Sequence, residues 1–149
     1  MKKQRVPVIL CIVFMLVAMQ TLISGCATQE RDSVVDVDLT ALSSPLVFAE
    51  VNNMMIEPEN YVGKTIKAKG LYGVETFNTD DEYFHFVIIP DATACCSQGM
   101  EFIWIGTHVF PDDYPKPETE IEVTGVWESY EENGFAYYRI QADELTVHR

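Results

Sequence analysis

Asn133-Gly134 constrains this chain more than any other pair of residues in it. It separates Glu120–Ser129 from Phe135–Ile140, two runs rich in β-branched and aromatic residues. An Asn-Gly loop accepts positive φ at both positions and matches the right-handed twist of paired strands, so it predicts a type I′ hairpin. In the first run Ile121 and Val123 alternate with Glu120, Glu122 and Thr124, which puts the apolar pair inward and the polar set outward. Glu144 to His148 is expected to extend the same sheet.

Three more strand-like runs precede the hairpin. Ile66, Ala68, Gly70 and Tyr72 alternate with Thr65, Lys67 and Lys69, after a turn at Tyr61-Val62-Gly63-Lys64. Gly70 inside that pattern predicts a bulge or sharp bend. Asn78 to Asp81 reads as a turn, Tyr83 to Ile89 as a second strand stopped by Pro90, and Glu101 to Ile105 as a third. Gly106 to Pro117, with its prolines and aspartates, reads as a connection. Upstream, Ser44-Pro45 has the chemistry of a helix start, and Phe48, Val51, Met54 and Met55 recur at helical spacing until Glu57-Pro58 ends it. The methionines are expected as core filler rather than soft-metal ligands. Short strands without β-α-β alternation predict a mainly β fold, a five-stranded OB-like antiparallel barrel with one N-terminal helix. If the first and fourth strands pair, Lys67 and Lys69 should lie beside Glu120 and Glu122.

The amino end has a different character. Lys2, Lys3 and Arg5 precede an almost wholly apolar Val6–Ala18, too short for a typical membrane span and suited to a secretory signal. Ile23-Ser24-Gly25-Cys26 follows and resembles the lipobox of bacterial lipoproteins, with Ile23 where Leu is usual. That resemblance implies cleavage before Cys26, lipidation of its sulfur and attachment to a membrane on the extracytoplasmic face, in the cell membrane or the outer membrane. Two or three acyl chains would hold far more firmly than one. The expected organisation is thus a signal peptide over 1–25, a flexible acidic tether over 26–43 and the β domain over 44–149. Val34 to Leu39 could instead add an edge strand.

Charge narrows the partners. The chain has 10 Lys+Arg and 23 Asp+Glu. Three of the basic residues lie in the signal, so the remainder carries seven basic against 23 acidic, a net −16. Such a surface repels phosphate backbones, and nucleic acid is therefore set aside as a partner. The aromatic residues are expected as core and cross-strand pairs rather than as base-stacking platforms.

Cys11 belongs to the signal and Cys26 to the lipid anchor, so Cys95 and Cys96 are the remaining thiols. Adjacent cysteines rarely bridge each other, because the small ring strains the peptide between them. Thiolates suit Zn²⁺ or Cu(I), and His108, Glu101, Asp91 and His85 are the candidate companions. On extended backbone the two side chains would point apart, so joint ligation needs a turn, which Ser97-Gln98-Gly99 could supply. The alternatives are buried core thiols and a thiol redox pair. Asp91 and Glu101 nearby would raise a thiol pKa and oppose redox exchange. His85, between Phe84 and Phe86, is expected as a satisfied wall residue, and no local pattern marks a nucleophile with an oxyanion hole.

Residues 58 to 148 also resemble bacterial OB-like extracytoplasmic domains, some of them lipoproteins and others paired with a predicted permease. The resemblance is carried by Tyr61-Val-Gly63-Lys64-Thr-Ile-Lys-Ala-Lys-Gly70, Phe86-Val-Ile, Cys95-Cys96 and Val123-Thr-Gly125-Val126-Trp127. In permease-associated members an Asp follows the cysteine pair, whereas here Asp91 precedes it. The resemblance implies an envelope protein or permease as partner and no settled activity. The expected function is a non-enzymatic, lipid-anchored binding or accessory module. It would capture a transition metal, or dock on a metal-handling partner, through the Cys95-Cys96 loop. A thiol redox protein and a purely structural interaction module are the alternatives.

Overall fold

A computed structural model describes residues 34–76, 82–93 and 95–148. The expected signal segment, Cys26, the first part of the expected tether and the whole of the expected Asn78–Asp81 turn lie outside them. Among the described residues no helix is long and apolar enough to cross a membrane.

The domain begins earlier than expected. Val37–Asp38 forms a short strand, β1, parallel to the chain at Ile66 and Lys67. Asp36 secures it twice, its amide donating to the Thr65 carbonyl at 2.9 Å and its carboxylate accepting from the Thr65 amide at 2.8 Å. A 3₁₀ turn follows over Leu39–Ala41, with Asp38 capping the Thr40 amide. It drives Leu39 into the core, where 1% of its surface is exposed. Of the edge-strand alternative over Val34 to Leu39, Val37–Asp38 is strand and Leu39 opens the 3₁₀ turn behind it, in place of tether. A buried leucine and a paired backbone outweigh the local acidic composition.

Helix α1 spans Ser44–Ile56. Its N-cap is Ser43 rather than Ser44, which places Pro45 within the first turn, where its missing N–H costs nothing. Val51 and Met54 are buried, while Met55 is exposed, so only one of the two methionines fills the core. The helix ends before Pro58, and a 3₁₀ turn over Pro58–Tyr61 leads to Gly63, whose φ of 83° suits the turn into the sheet.

The sheet has six strands rather than five. Strand β2 (Thr65–Glu75) pairs antiparallel with β5 (Glu120–Glu132) along Thr65–Leu71 and with β3 (Phe84–Pro90) along Leu71–Glu75. It therefore bends from one neighbour to the other near Gly70. A Cβ at Gly70 would lie 2.4 Å from the Ile88 carbonyl oxygen, so glycine permits the close crossing. Strand β3 pairs antiparallel with β4 (Ser97–Trp104), and β4 runs parallel to β6 (Phe135–Val147). Strands β5 and β6 form the predicted hairpin, with φ 53° at Asn133 and 80° at Gly134. The pairings β2-β3-β4-β6-β5 return to β2, with β1 added on the outside.

Gly70 thus marks a sharp bend, and the bulge lies in another pair of strands. Between β5 and β6 the register steps from Gly125↔Ala142 to Thr124↔Glu144, leaving Asp143 without a partner position. Through this step Val123, Thr124 and Gly125 are all enclosed, and Thr124, predicted to face out, is buried. The predicted ion pairs form across β2 and β5, Lys67–Glu122 and Lys69–Glu120 both at 3.0 Å.

Ile66, Ala68, Tyr72, Val87, Phe102, Ile121, Val123, Trp127 and Ile140 turn inward from five strands into one core, capped by Leu39, Val51 and Met54. His85 is its polar member and is 8% exposed. Its Nδ1 lies 2.7 Å from the Tyr72 hydroxyl, and its ring stacks on Tyr114 from the β4–β5 connection at 4.2 Å. Burial holds its pKa down to about 4, so it is neutral at physiological pH. It is a satisfied wall residue and takes no part in the site described next.

Candidate metal site at the β3–β4 turn

Strand β4 starts at Ser97, not at Glu101. Because β3 continues to Pro90, the ladder extends to the pair Pro90↔Ser97, and Ser97-Gln98-Gly99 is strand rather than turn. The connection is reduced to residues 91–96, closed by the Asp91 amide donating to the Cys96 carbonyl at 2.8 Å. Both cysteines therefore sit at the tip of a tight hairpin. Its base is tied to α1, where the Gln98 side-chain amide donates to Asn52 at 3.1 Å.

Asp91 organises the tip. Its Oδ1 accepts from the amides of Thr93 and Cys95, each at 3.0 Å, which folds the chain back over the carboxylate. The Cys95 thiol donates to Oδ2 at 3.3 Å, and the Thr93 hydroxyl bridges the carboxylate and the Cys95 sulfur, at 3.1 Å from each. The two sulfurs are 3.7 Å apart, too far for a disulfide, and both cysteines are free and exposed. One ligand atom from each of Asp91, Cys95 and Cys96 lies within 4.8 Å of the others. The turn thus does what an extended backbone could not, bringing adjacent thiols to one side with a carboxylate.

The electrostatics follow from this packing. Partial desolvation pushes Asp91 up, but the hydrogen bonds from Cys95, Thr93 and the backbone outweigh it and hold the carboxyl below its ordinary range. The Cys96 thiol is pushed up by its hydrogen bond with Cys95, by desolvation and by the Asp91 charge. A thiol raised in this way is a poor nucleophile at neutral pH, which weighs against redox exchange.

The other candidate ligands are not part of this cluster. His108 stacks flat on Trp104, ring centroids 3.5 Å apart and planes 8° apart. Glu101 lies further along β4, where it accepts from the Tyr130 hydroxyl at 2.7 Å and faces Arg139 at 4.0 Å. Burial raises its pKa, against the opposing pull of Tyr130 and Arg139. Asp91 is the companion that the turn selects, and Thr93 is the supporting residue that sequence reasoning missed. The Asp-x-Thr spacing of an Asx turn was its available signal.

No family model and no curated protein matches the chain. Among solved structures it is similar to a dimeric structure, the N-terminal domain of PriB protein from Thermoanaerobacter tencongensis. The identity is 12%, over 57% of this chain and 96% of that chain, with a TM-score of 0.38. The partner expectation drawn from charge is corrected at this point. It set nucleic acid aside, whereas the structure reached by comparison is a PriB domain. That exclusion is dropped, and no partner is inferred from a likeness of this size.

Proposed function

We propose that this protein is a lipid-anchored, extracytoplasmic binding module, non-enzymatic, that captures a transition-metal ion at Asp91, Cys95 and Cys96. One observation carries the reading. Two Zn–S bonds of about 2.3 Å at a tetrahedral angle separate their sulfurs by about 3.8 Å, and the Cys95 and Cys96 sulfurs are 3.7 Å apart without any rearrangement. The carboxylate of Asp91 gives a third donor, and the exposed tip leaves further positions for water or a donor from elsewhere. Zn²⁺ or Cu(I) fits the sulfur-rich set, whereas Ca²⁺ and Mg²⁺ prefer all-oxygen sites. Binding would displace the thiol protons, so affinity should rise with pH. The lipobox-like Ile23–Cys26 supports the anchor and the address. The circuit of five strands, closed through β2–β5 and containing the parallel β4–β6 pair, supports an OB-like barrel as the scaffold.

Native mass spectrometry of the full-length chain tests the reading, with Zn²⁺ and Cu(I) added separately under nitrogen. One stoichiometric metal, lost in Cys95→Ser and weakened in Asp91→Asn, is expected. A chain that holds neither ion, or holds it equally well after Cys95→Ser, would remove the metal site from this turn.

A further inference from the structure

A second concavity lies on the opposite side of the β3–β4 ladder from the core. Phe84 and Phe86 flank the inward-facing His85 on β3, so their rings emerge on the outer face. Glu101 is the register partner of Phe86 on β4 and shares that face. The β5–β6 hairpin extends past its neighbours and supplies Tyr130, Glu132 and Tyr137. Together they enclose about 440 Å³, within the range of about 300–1,000 Å³ common for small-molecule sites.

The chemistry of this groove is specific. Its walls are aromatic faces and its charged groups are carboxylates. Tyr130 and Tyr137 are cross-strand partners, stacked with centroids 5.6 Å apart. The guanidinium of Arg139 already lies 4.3 Å from the Tyr130 centroid, so this ring serves as a cation platform for the protein's own side chain. Arg139 is engaged by Glu128 at 2.8 Å and stands 4.0 Å from Glu101. Glu132 has no ion pair among the described residues. Arg139 thus stands between Glu101 and Glu128, while the charged residues lining the groove are Glu101 and Glu132, which leaves the groove net negative beside exposed π faces. An organic cation satisfies both features at once, because a ring quadrupole and a carboxylate attract the same charge and the alkyl groups cover apolar surface.

We infer that the groove between Phe86, Glu101, Tyr130 and Tyr137 binds a small organic ammonium ion. The site is separate from the cysteine turn and does not depend on metal binding there. Tyr137 supplies an exposed ring face, Phe86 the floor and Glu101 the counter-charge.

The test is calorimetric titration of the purified full-length chain with choline, against matched sodium chloride and against 3,3-dimethylbutan-1-ol. That alcohol has the shape of choline without its charge. Choline is expected to bind and the neutral analogue to bind about ten-fold more weakly or not at all, as a cation–π contribution predicts. Tyr137→Ala and Glu101→Gln should each weaken choline five-fold or more while circular dichroism shows the chain still folded, since each loses a local contact with Tyr130 but no core residue. The inference is overturned if choline gives no heat beyond sodium chloride, if the neutral analogue binds equally, or if Tyr137→Ala leaves choline binding unchanged. It is also overturned if an oligothymidylate, and not choline, perturbs Tyr137, since the groove would then be a stacking surface for bases.

Discussion

His85 should make this protein acid-labile in a window where most carboxylates are still ionised. Its pKa is held to about 4 against an ordinary 6.5, because burial disfavours the imidazolium. Above pH 6.5 the folded and unfolded chains both hold a neutral imidazole, and the stability is fully present. As pH falls below 6.5 the unfolded chain takes the proton first, so stability declines until the folded pKa is passed. Between pH 7.5 and 4.5 this linkage amounts to about 2–3 kcal/mol. The side chain is only 8% exposed, so solvent screening reduces that figure little. Urea unfolding followed by tryptophan fluorescence reads it, since Trp127 is buried and Trp104 packs against the core. The reference is the double variant Tyr72→Phe with His85→Phe, which removes the titrating group without leaving the Tyr72 hydroxyl unpaired. The wild type should lose about 2 kcal/mol more than the variant between those two pH values. Equal losses, or an imidazole that titrates near 6.5 in the folded chain, would refute the argument.

Other expectations follow from single contacts. Leu39→Ala should cost about 2–4 kcal/mol in chemical denaturation, since it empties a core position beneath β1; a loss under about 0.5 kcal/mol would return Val37–Leu39 to the tether. Gly125→Ala puts a Cβ 2.1 Å from the Gln141 carbonyl oxygen and 2.6 Å from the Ala142 Cα, both backbone atoms that cannot turn aside. It should cost about 1–3 kcal/mol or more, seen as a clear drop in melting temperature. Gly134→Ala, at φ 80° with open space around it, should cost about 1–2 kcal/mol through backbone strain alone. Lys69→Met breaks an exposed pair with Glu120 and should change stability by less than about 1 kcal/mol.

The parts of the fold that were legible in the sequence are those fixed by neighbouring residues. Asn133-Gly134 specified its turn because few other dipeptides accept two positive φ angles. The alternation through Ile66, Ala68 and Tyr72 specified which face of β2 is buried. Features that depend on distant partners were misread. Gly70, read as a bulge or a sharp bend, marks the bend, where glycine lets Ile88 of β3 cross closely; the bulge itself arises at Thr124/Gly125, where β6 carries an extra residue. Val37–Leu39 looked like linker because two ladder positions and one buried leucine leave little local pattern. At the site, the cysteines were evident from composition. Asp91 was one of four candidate companions and nothing local singled it out, because it acts through a turn whose closure depends on the length of the β3–β4 ladder. His108 and Glu101 were equally plausible by residue type, and the packing of Trp104 and Tyr130 commits each elsewhere.

The most direct test of the metal reading is X-ray absorption at the zinc or copper edge of the loaded full-length protein. Two sulfur scatterers at about 2.3 Å for zinc, with the remaining donors oxygen or nitrogen, are expected. The sulfur contribution should disappear in the variant Cys95→Ser with Cys96→Ser. A first shell of oxygen and nitrogen alone in the wild-type protein would show that Cys95 and Cys96 do not hold the ion, and would contradict the account.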